Sequence, residues 1–217
     1  MANALWPPLD LRLRTGDLEL RLPNDDDIAA LAALARAGVH PPEEMPFAVP
    51  WTDVDGAEFD RNFVRFRWHQ RTNIEPHEWT LDFAVFVAGE PAGCQDIGAT
   101  NFAVLQTVRT GSWLGRGFQG RGVGRLMRQA VLSLAFDHLG AEIAESGAFV
   151  DNPASARVSA AIGYEPNGID RVAPRGVARD MQRYRLTLET WRSRPRPTVE
   201  VEGLEACREM LGMRAAG

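Results

Sequence analysis

The sequence predicts a protein of the α/β class, with helices and an antiparallel strand meander in one chain. Apolar residues after Asn24 recur at helical spacing, whereas those from Trp79 to Val87 alternate with less apolar neighbours. A glycine-rich segment, Gln119–Gly124, leads directly into a second amphipathic segment, Arg125–Leu139. The chain has 217 residues, 45% of them hydrophobic, which is enough for one domain with a sizeable core.

The N-terminal third predicts a hairpin followed by two helices. Leu11–Leu22 reads as two short strands around the turn Thr15–Asp17. Asn24 is typical of an N-cap, and three aspartates follow it in the first turn, where negative charge suits the helix dipole. A loop rich in proline and aromatic residues, Pro41–Trp51, then precedes a second helix over Ala57–Gln70.

The middle of the chain predicts a meander and then a helix and a strand. Strand Trp79–Val87 turns at Gly89–Pro91, and Ala92–Val104 with Thr107–Leu114 continues the antiparallel pattern. Gly140 is typical of the C-terminal stop of the helix Arg125–Leu139. A further strand is predicted over residues 142–150.

The C-terminal part predicts a short helix and a last strand. Pro153–Ile162 begins with proline at an early helical position, and Met181–Trp191 alternates as the final strand. Arg192–Pro197 reads as a charged, proline-containing linker, and Val201–Met213 as a C-terminal helix. We therefore expect one domain over residues 1–191, with the linker and the helix in residues 192–217.

The glycine-rich segment indicates a phosphate-binding loop. Glycine permits tight turns and close approach of a ligand, and the N-terminus of the following helix attracts anions. A P-loop is excluded because the chain contains no lysine. Gly115-x-Gly117-x-x-Gly120 matches a dinucleotide fingerprint, but the nearest acidic residues, Asp137 and Glu142, fall at the helix end and the start of the next strand instead of at that strand's end. The remaining interpretation is Q-x-x-G-x-G as a CoA pyrophosphate loop.

The motifs extend beyond the loop. Gly111–Gly115, Gln119–Gly124, Asp151–Ser155 and Ile162–Tyr164, in this order, resemble the GNAT superfamily of N-acetyltransferases, and among them the branch that acetylates ribosomal proteins (the Rim type). The specific motifs lie in residues 111–164, whereas the order of elements extends the resemblance over roughly residues 10–190. The resemblance implies a mixed central sheet with an antiparallel N-terminal meander, a splayed parallel strand pair and helices on both faces.

The resemblance also implies acetyl-CoA as co-substrate, held in the cleft between the splayed strands, with no metal. The residues expected to bind it are Trp113, Leu114, Gln119, Gly120, Arg121, Gly122, Val123, Gly124, Arg125, Asn152 and Ser155. Arg121, Arg125 and Arg128 share a helix face, which fits either phosphate neutralisation or a solvated surface. Asn152 before proline is equally typical of a helix cap.

Transfer to an amine requires a group that accepts the ammonium proton. Asp96 on a central strand is the expected base, because burial would raise its pKa, although pairing with an arginine is the alternative role. By resemblance, Ser155 stabilises or protonates the leaving thiolate. Glu44, Phe47 and Trp51 are expected at the acceptor side, where an acidic and aromatic wall suits a cationic amine.

The composition limits the remaining functions. A net charge of −5 gives no general attraction to nucleic acid or anionic membranes, and two distant cysteines form no zinc motif and suit the cytoplasm. The N-terminal eight residues lack the features of a signal peptide. The acceptor is expected to be a protein N-terminus or a small amine. Two alternatives remain: a charged-tRNA donor, bound by the arginines between residues 171 and 196, and a non-catalytic CoA-binding module.

Overall fold

The computed structural model describes residue 3 and residues 5–213. This description leaves out residues 1, 2 and 4, which belong to the N-terminal segment discussed above as having no signal-peptide features. It also leaves out residues 214–217, at the end of the predicted C-terminal extension. Among the described residues, no helix has the length and apolar character needed to cross a membrane.

The described residues form a mixed succession of strands and helices. The strands are β1 (Arg12–Thr15), β2 (Leu18–Arg21), β3 (Ile74–Glu75), β4 (Glu78–Val87), β5 (Glu90–Thr100), β6 (Thr107–Leu114), β7 (Ile143–Phe149), β8 (Glu165–Val172), β9 (Arg179–Thr187) and β10 (Glu200–Glu202). The helices are α1 (Asp25–Ala37), α2 (Gly56–Thr72), α3 (Phe102–Leu105), α4 (Val123–Ser133), α5 (Pro153–Ile162) and α6 (Leu188–Ser193).

The strands form one sheet in the order β10-β1-β2-β4-β5-β6-β7-β9-β8, with β3 paired to β4. Each described pairing is antiparallel except that of β6 with β7, which is parallel. A parallel pair needs a crossover connection, and here the glycine-rich segment and α4 provide it. The predicted mixed sheet, with its antiparallel meander and one parallel strand pair, is confirmed.

Helices cover both faces of the sheet, and the alternation along the strands separates the two cores. Ala84, Phe86, Cys94 and Trp113 are buried against α1 and α2. Residues of the opposite parity, including Leu81, Phe83, Val85 and Ile97, belong to the core that contains α4. The site described below lies where β6 passes between these two layers.

The start of α1 follows the predicted capping chemistry. The Asn24 side chain accepts a hydrogen bond from the Asp27 amide at 2.8 Å, and the Asp27 carboxylate accepts one from the Asn24 amide at 3.1 Å. Asp27 also pairs with Arg21 at 2.7 Å. This capping box therefore joins α1 to the second strand as well as closing its own first turn.

Several predicted boundaries are wrong. The strand expected to reach Val104 ends at Thr100, and the one-turn helix α3 follows it. The last predicted strand ends at Thr187, whose side chain accepts from the Thr190 amide and caps α6. Strand β8 was not predicted; its alternation is poor because most of its side chains are exposed.

The helix predicted over Val201–Met213 is also wrong. Residues 200–202 form strand β10, which pairs with β1, and a single 3-10 turn, Glu205–Cys207, follows. Cys207 and Leu211 are fully buried in the α4-side core. The indole of Trp79 donates a hydrogen bond to the Leu211 carbonyl at 3.1 Å. The C-terminal segment is thus packed on the sheet, and its apolar residues follow those contacts rather than a helical period.

Candidate active site

The parallel strands β6 and β7 separate partway along their length. They pair from Thr107 with Ile143 to Arg109 with Glu145 and no further. Beyond that point, Ser146 donates from its hydroxyl to the Thr110 carbonyl at 3.4 Å, and a cleft of about 1120 Å³ opens. The second half of β6 therefore has a free backbone edge facing the cleft, as the predicted splayed pair requires.

The glycine-rich loop forms one end of this cleft. Gly120 (φ 70°) and Gly122 (φ 83°) have left-handed backbones, and a Cβ added to either would meet nothing within 4 Å. Gly122 is the N-cap of α4 and offers no side-chain hydrogen bond, while its carbonyl accepts from the Arg125 and Leu126 amides. The earlier amides of α4 are left for an external acceptor, so the loop fits a phosphate group.

The side chains of the loop have different positions. Gln119 donates to the Val39 carbonyl at 2.7 Å and to the Leu114 carbonyl at 2.8 Å, so its amide group fastens the loop to two neighbouring segments. Arg125 lines the cleft. Arg121 does not line it; its exposed guanidinium lies against Phe118 and donates to the Gly117 carbonyl.

Of the remaining residues predicted to bind CoA, some line the cleft and one does not. Trp113, Leu114, Gly124, Asn152 and Ser155 line the cleft, together with Gly120 and Gly122. Val123 does not; it begins α4 and packs against the α4-side core. The Asn152 side chain accepts from the Ser155 amide at 3.1 Å and caps α5, which is the structural role that the sequence left open.

Asp96 lies immediately behind the cleft wall. It does not line the cleft itself, but its carboxylate accepts from the Gly111 amide at 2.6 Å, and Gly111 does line it. A Cβ on Gly111 would approach the Asp96 carboxylate to 2.6 Å, so only glycine fits between them. Burial and the charge of Asp82 raise the pKa of Asp96 to about 6, against the opposing effects of the Gly111 amide, Arg67 and Arg128.

A buried ion pair, Arg67 with Asp82, lies next to Asp96 on the neighbouring strand and helix. Asp82 is its cross-strand partner on β4, and the guanidinium of Arg67 on α2 donates to the Asp82 carboxylate. Both members of the pair are buried, and Arg67 lies over the Phe63 ring. The pair could not be recognised from the sequence, because Arg67 lies on a helix and Asp82 on a strand, with no motif joining them.

The segment between α1 and α2 forms the wall opposite the loop. Glu44 and Phe47 line the cleft, with Glu44 exposed. Trp51 does not line it but packs between Phe47 (ring centroids 5.1 Å apart) and Trp113 (5.6 Å). Of the predicted acceptor-side residues, Glu44 and Phe47 thus line the cleft, and Trp51 packs against Phe47.

Two further parts of the cleft were not predicted as site residues. The β8–β9 connection contributes Pro174, Arg175, Val177 and Arg179. Arg128 lines the cleft from α4 and is only 4% exposed, so of the two interpretations open for this helix face, the solvated surface is wrong at this position. From Met127 to Phe136 the helical segment is buried on all sides, because β6, α5 and Trp191 each cover part of it.

A helix N-terminus open to phosphate, a free strand edge and an elevated carboxylate pKa in one place are features of an acyltransferase cleft. The family model described as acetyltransferase (GNAT) domain matches residues 17–165 of this chain, more than half of its length. The chain belongs to the GNAT family and is an N-acetyltransferase.

Solved structures of similar fold include Mycobacterium smegmatis RimJ in complex with CoA-disulfide, with 20% identity and a TM-score of 0.65 over 84% of this chain and 90% of that chain. RimL, a ribosomal L7/L12 alpha-N-protein acetyltransferase solved with coenzyme A, has 21% identity and a TM-score of 0.64, covering 82% and 99%. A GCN5-related N-acetyltransferase from Brucella melitensis has 19% identity and a TM-score of 0.67, covering 83% and 80%.

Proposed function

We propose that the protein transfers the acyl group of a CoA thioester, with acetyl-CoA as the reference donor, directly to a primary amine. The observation that carries the proposal is the continuity of one cleft from the open N-terminus of α4 to Gly111, behind which Asp96 lies. The pyrophosphate would lie on the amides of Gly120–Gly124, with Arg125 beside it. The pantetheine arm would pair with the free backbone edge of β6 near Trp113 and Leu114.

In this proposal Asp96 removes the proton that the attacking amine must lose. A carboxylate with a pKa of about 6 is mostly ionised at neutral pH and still basic enough to accept a proton. Because Gly111 separates it from the cleft, the proton reaches Asp96 past the glycine or through water. The amine nitrogen forms a bond to the thioester carbon, the carbon–sulfur bond breaks, and Ser155 protonates or stabilises the departing thiolate.

The acceptor that we propose is a protein N-terminus, with a small amine as the other candidate. Exposed Glu43 and Glu44 give the wall opposite the loop a negative character, which favours a cationic amine. RimL is named as an acetyltransferase of a protein α-amino group, which is compatible with this choice. We further propose a cytoplasmic location, supported by two buried cysteines that are both free thiols.

A tRNA donor is less well supported than CoA. Four of the arginines that could have contacted RNA are paired within the chain: Arg175 with Asp53 at 2.6 Å, Arg179 with Asp151 at 2.5 Å, Arg183 with Asp170 at 3.3 Å and Arg196 with Asp137 at 3.6 Å. Each would have to give up a carboxylate to bind a phosphate. The open amides at the start of α4 need no such exchange.

The test is calorimetry with acetyl-CoA combined with turnover of an N-terminal peptide, for the wild type, Asp96→Asn and the exposed-turn control Asp17→Asn. We expect Asp96→Asn to bind acetyl-CoA as the wild type does while turnover falls by roughly 10²- to 10⁴-fold, and the control to behave as the wild type. Unchanged turnover in Asp96→Asn would remove Asp96 from the mechanism. Absence of acetyl-CoA binding by the wild type would contradict the proposed function.

A further inference from the structure

Arg128 is a buried cation that contacts no carboxylate among the residues that the structure describes. It is 4% exposed, and its guanidinium donates to the Ser159 hydroxyl at 3.1 Å and to the Ser112 hydroxyl at 3.3 Å. Within residues 3 and 5–213, no carboxylate oxygen lies within 4.0 Å of it, and its Nε has no hydrogen-bond partner. Burial lowers the pKa of Arg128, an effect that the surroundings of Tyr164 and Asp96 only partly oppose.

Arg67 provides an internal comparison. It is as deeply buried as Arg128, but the Asp82 carboxylate neutralises it, and its pKa is raised rather than lowered. A buried guanidinium is costly unless an anion and further hydrogen bonds compensate it. Arg128 has hydroxyl partners but no carboxylate in contact, because the nearby Asp96 carboxylate is bound to the Gly111 amide and acts on Arg128 only through its charge. Because Arg128 also lines the cleft, the missing anion can come from a bound ligand.

The position of Arg128 indicates which part of the ligand it meets. It lies six residues beyond Gly122 along α4, or roughly 9 Å, so it is not part of the pyrophosphate loop. Its partner Ser112 is on the stretch of β6 that faces the cleft, next to Gly111 and the proposed proton acceptor. The base of the splay there is polar: the hydroxyls of Thr110 and Ser146 hydrogen-bond across it, and the buried Tyr164 hydroxyl has no partner among the described residues.

We infer that the cleft takes, in preference to acetyl-CoA, a CoA thioester whose acyl group ends in a carboxylate, and that Arg128 with the hydroxyls around it binds that carboxylate. The inference rests on the proposed function, since it requires a CoA thioester in this cleft. An acetyl group would leave the guanidinium unpaired, whereas a dicarboxylic half-thioester supplies the missing anion and a planar group for two of its N–H donors.

The transfer step is the same as for acetyl-CoA. The amine nitrogen bonds to the thioester carbon, the carbon–sulfur bond breaks, the ammonium proton passes to Asp96 and the thiolate leaves as CoA thiol after protonation. The distal carboxylate takes no part in bond making and stays ionised on Arg128. The product is an amide with a terminal carboxylate, so the acceptor changes from a cation to an anion.

The test compares succinyl-CoA with butyryl-CoA, which has the same number of acyl carbons and no charge, with malonyl-, glutaryl- and acetyl-CoA as further probes. We expect wild-type protein to bind succinyl-CoA or one of the other two dicarboxylic thioesters roughly 10- to 100-fold more tightly than butyryl-CoA in calorimetry. The preference should also appear in kcat/KM. Equal affinity for charged and uncharged thioesters would overturn the inference, while acetyl-CoA binding would leave the proposed function standing.

Two variants locate the effect. Arg128→Gln should lose the preference for the dicarboxylic thioester while its affinity for butyryl-CoA stays within a few-fold, whereas Arg125→Gln at the loop should weaken all thioesters alike. A uniform loss in Arg128→Gln, with its thermal unfolding unchanged, would assign the arginine to packing and overturn the inference. The wild-type comparison needs no variant, so it decides the question even if Arg128→Gln does not fold. No thioester binding at all would refute the proposed function as well.

Discussion

The pH dependence of turnover tests the role of Asp96 most directly. With a pKa of about 6, Asp96 as the proton acceptor gives a kcat/KM that falls as the pH drops below 6. Asp82 is its cross-strand neighbour and raises this pKa. Asp82→Asn removes the repulsion while keeping the shape, so we expect the acid limb of the profile to move to lower pH.

The size of the shift follows from the register. Directly opposed residues on antiparallel strands have Cβ atoms about 4.5–5.5 Å apart, which places the carboxylates of Asp82 and Asp96 about 6 Å from each other. At an effective dielectric constant of about 20, two unit charges at that distance repel by about 3 kcal/mol, equivalent to about 2 pH units. Because Arg67 acts on Asp96 in both proteins, its contribution cancels in the comparison, and we expect the midpoint of the limb to move down by about 1 to 2 pH units.

The assay is kcat/KM for a peptide acceptor between pH 4.5 and 8.5. Asp82→Asn leaves Arg67 buried and unpaired, so thermal unfolding of each variant is followed in parallel. The control is the double variant Arg67→Gln/Asp82→Asn, which also removes the weaker, opposing effect of Arg67 and should move the limb part of the way back towards its wild-type position. An acid limb that stays near pH 6 in folded Asp82→Asn would refute the assignment of Asp96 as the base.

Three further outcomes are expected. Asp96→Asn should be more stable than the wild type by about 1–3 kcal/mol above pH 6, because the pKa of Asp96 is raised in the folded protein and its ionised form is therefore unfavourable there. The gain should disappear as the pH falls towards 4, where the carboxyl is protonated. Urea unfolding at pH 4 and pH 8 measures the difference, and equal stability of the two proteins at pH 8 would contradict the prediction. Gly122→Glu should abolish acetyl-CoA binding in calorimetry, whereas Gly89→Glu, which has nearly the same φ (82° against 83°) and as little around it, should leave binding intact. Leu211→Ala should lower the free energy of unfolding by about 2–5 kcal/mol, because the side chain is fully buried in the α4-side core. A loss under about 1 kcal/mol would contradict the packing of the C-terminal segment on the sheet.

Local chemistry made much of the fold predictable. The cap at Asn24, the turn around Gly16 and the proline at the start of α5 depend only on neighbouring residues, and each lies where the sequence places it. The period-2 pattern of β4 survives because one set of its side chains packs on α2 and the other on α4. The helix predicted for the C-terminal segment is wrong because this segment is positioned by contacts with residues far away in the sequence, such as Trp79.

The candidate site also contains features that the local sequence predicts and features that depend on residues far apart in the chain. The glycine loop could be found from the sequence because a phosphate cradle needs glycines and a helix start in one short stretch. The functions of Gln119 and Trp51 could not, since both side chains are directed towards residues far along the chain. The same holds for Arg128, for which the helix pattern left phosphate binding and a solvated surface both open.

The sequence by itself determined the class of fold, the crossover at the glycine loop and the family, because these are written in neighbouring residues and their periodicity. Only the tertiary structure decided which charges are paired. Arg67 and Arg128 look alike in the sequence, yet one lies beside Asp82 and the other beside two serines. Such contacts depend on how α2 and α4 are laid across the sheet, and the cost of burying a charge depends on those contacts alone.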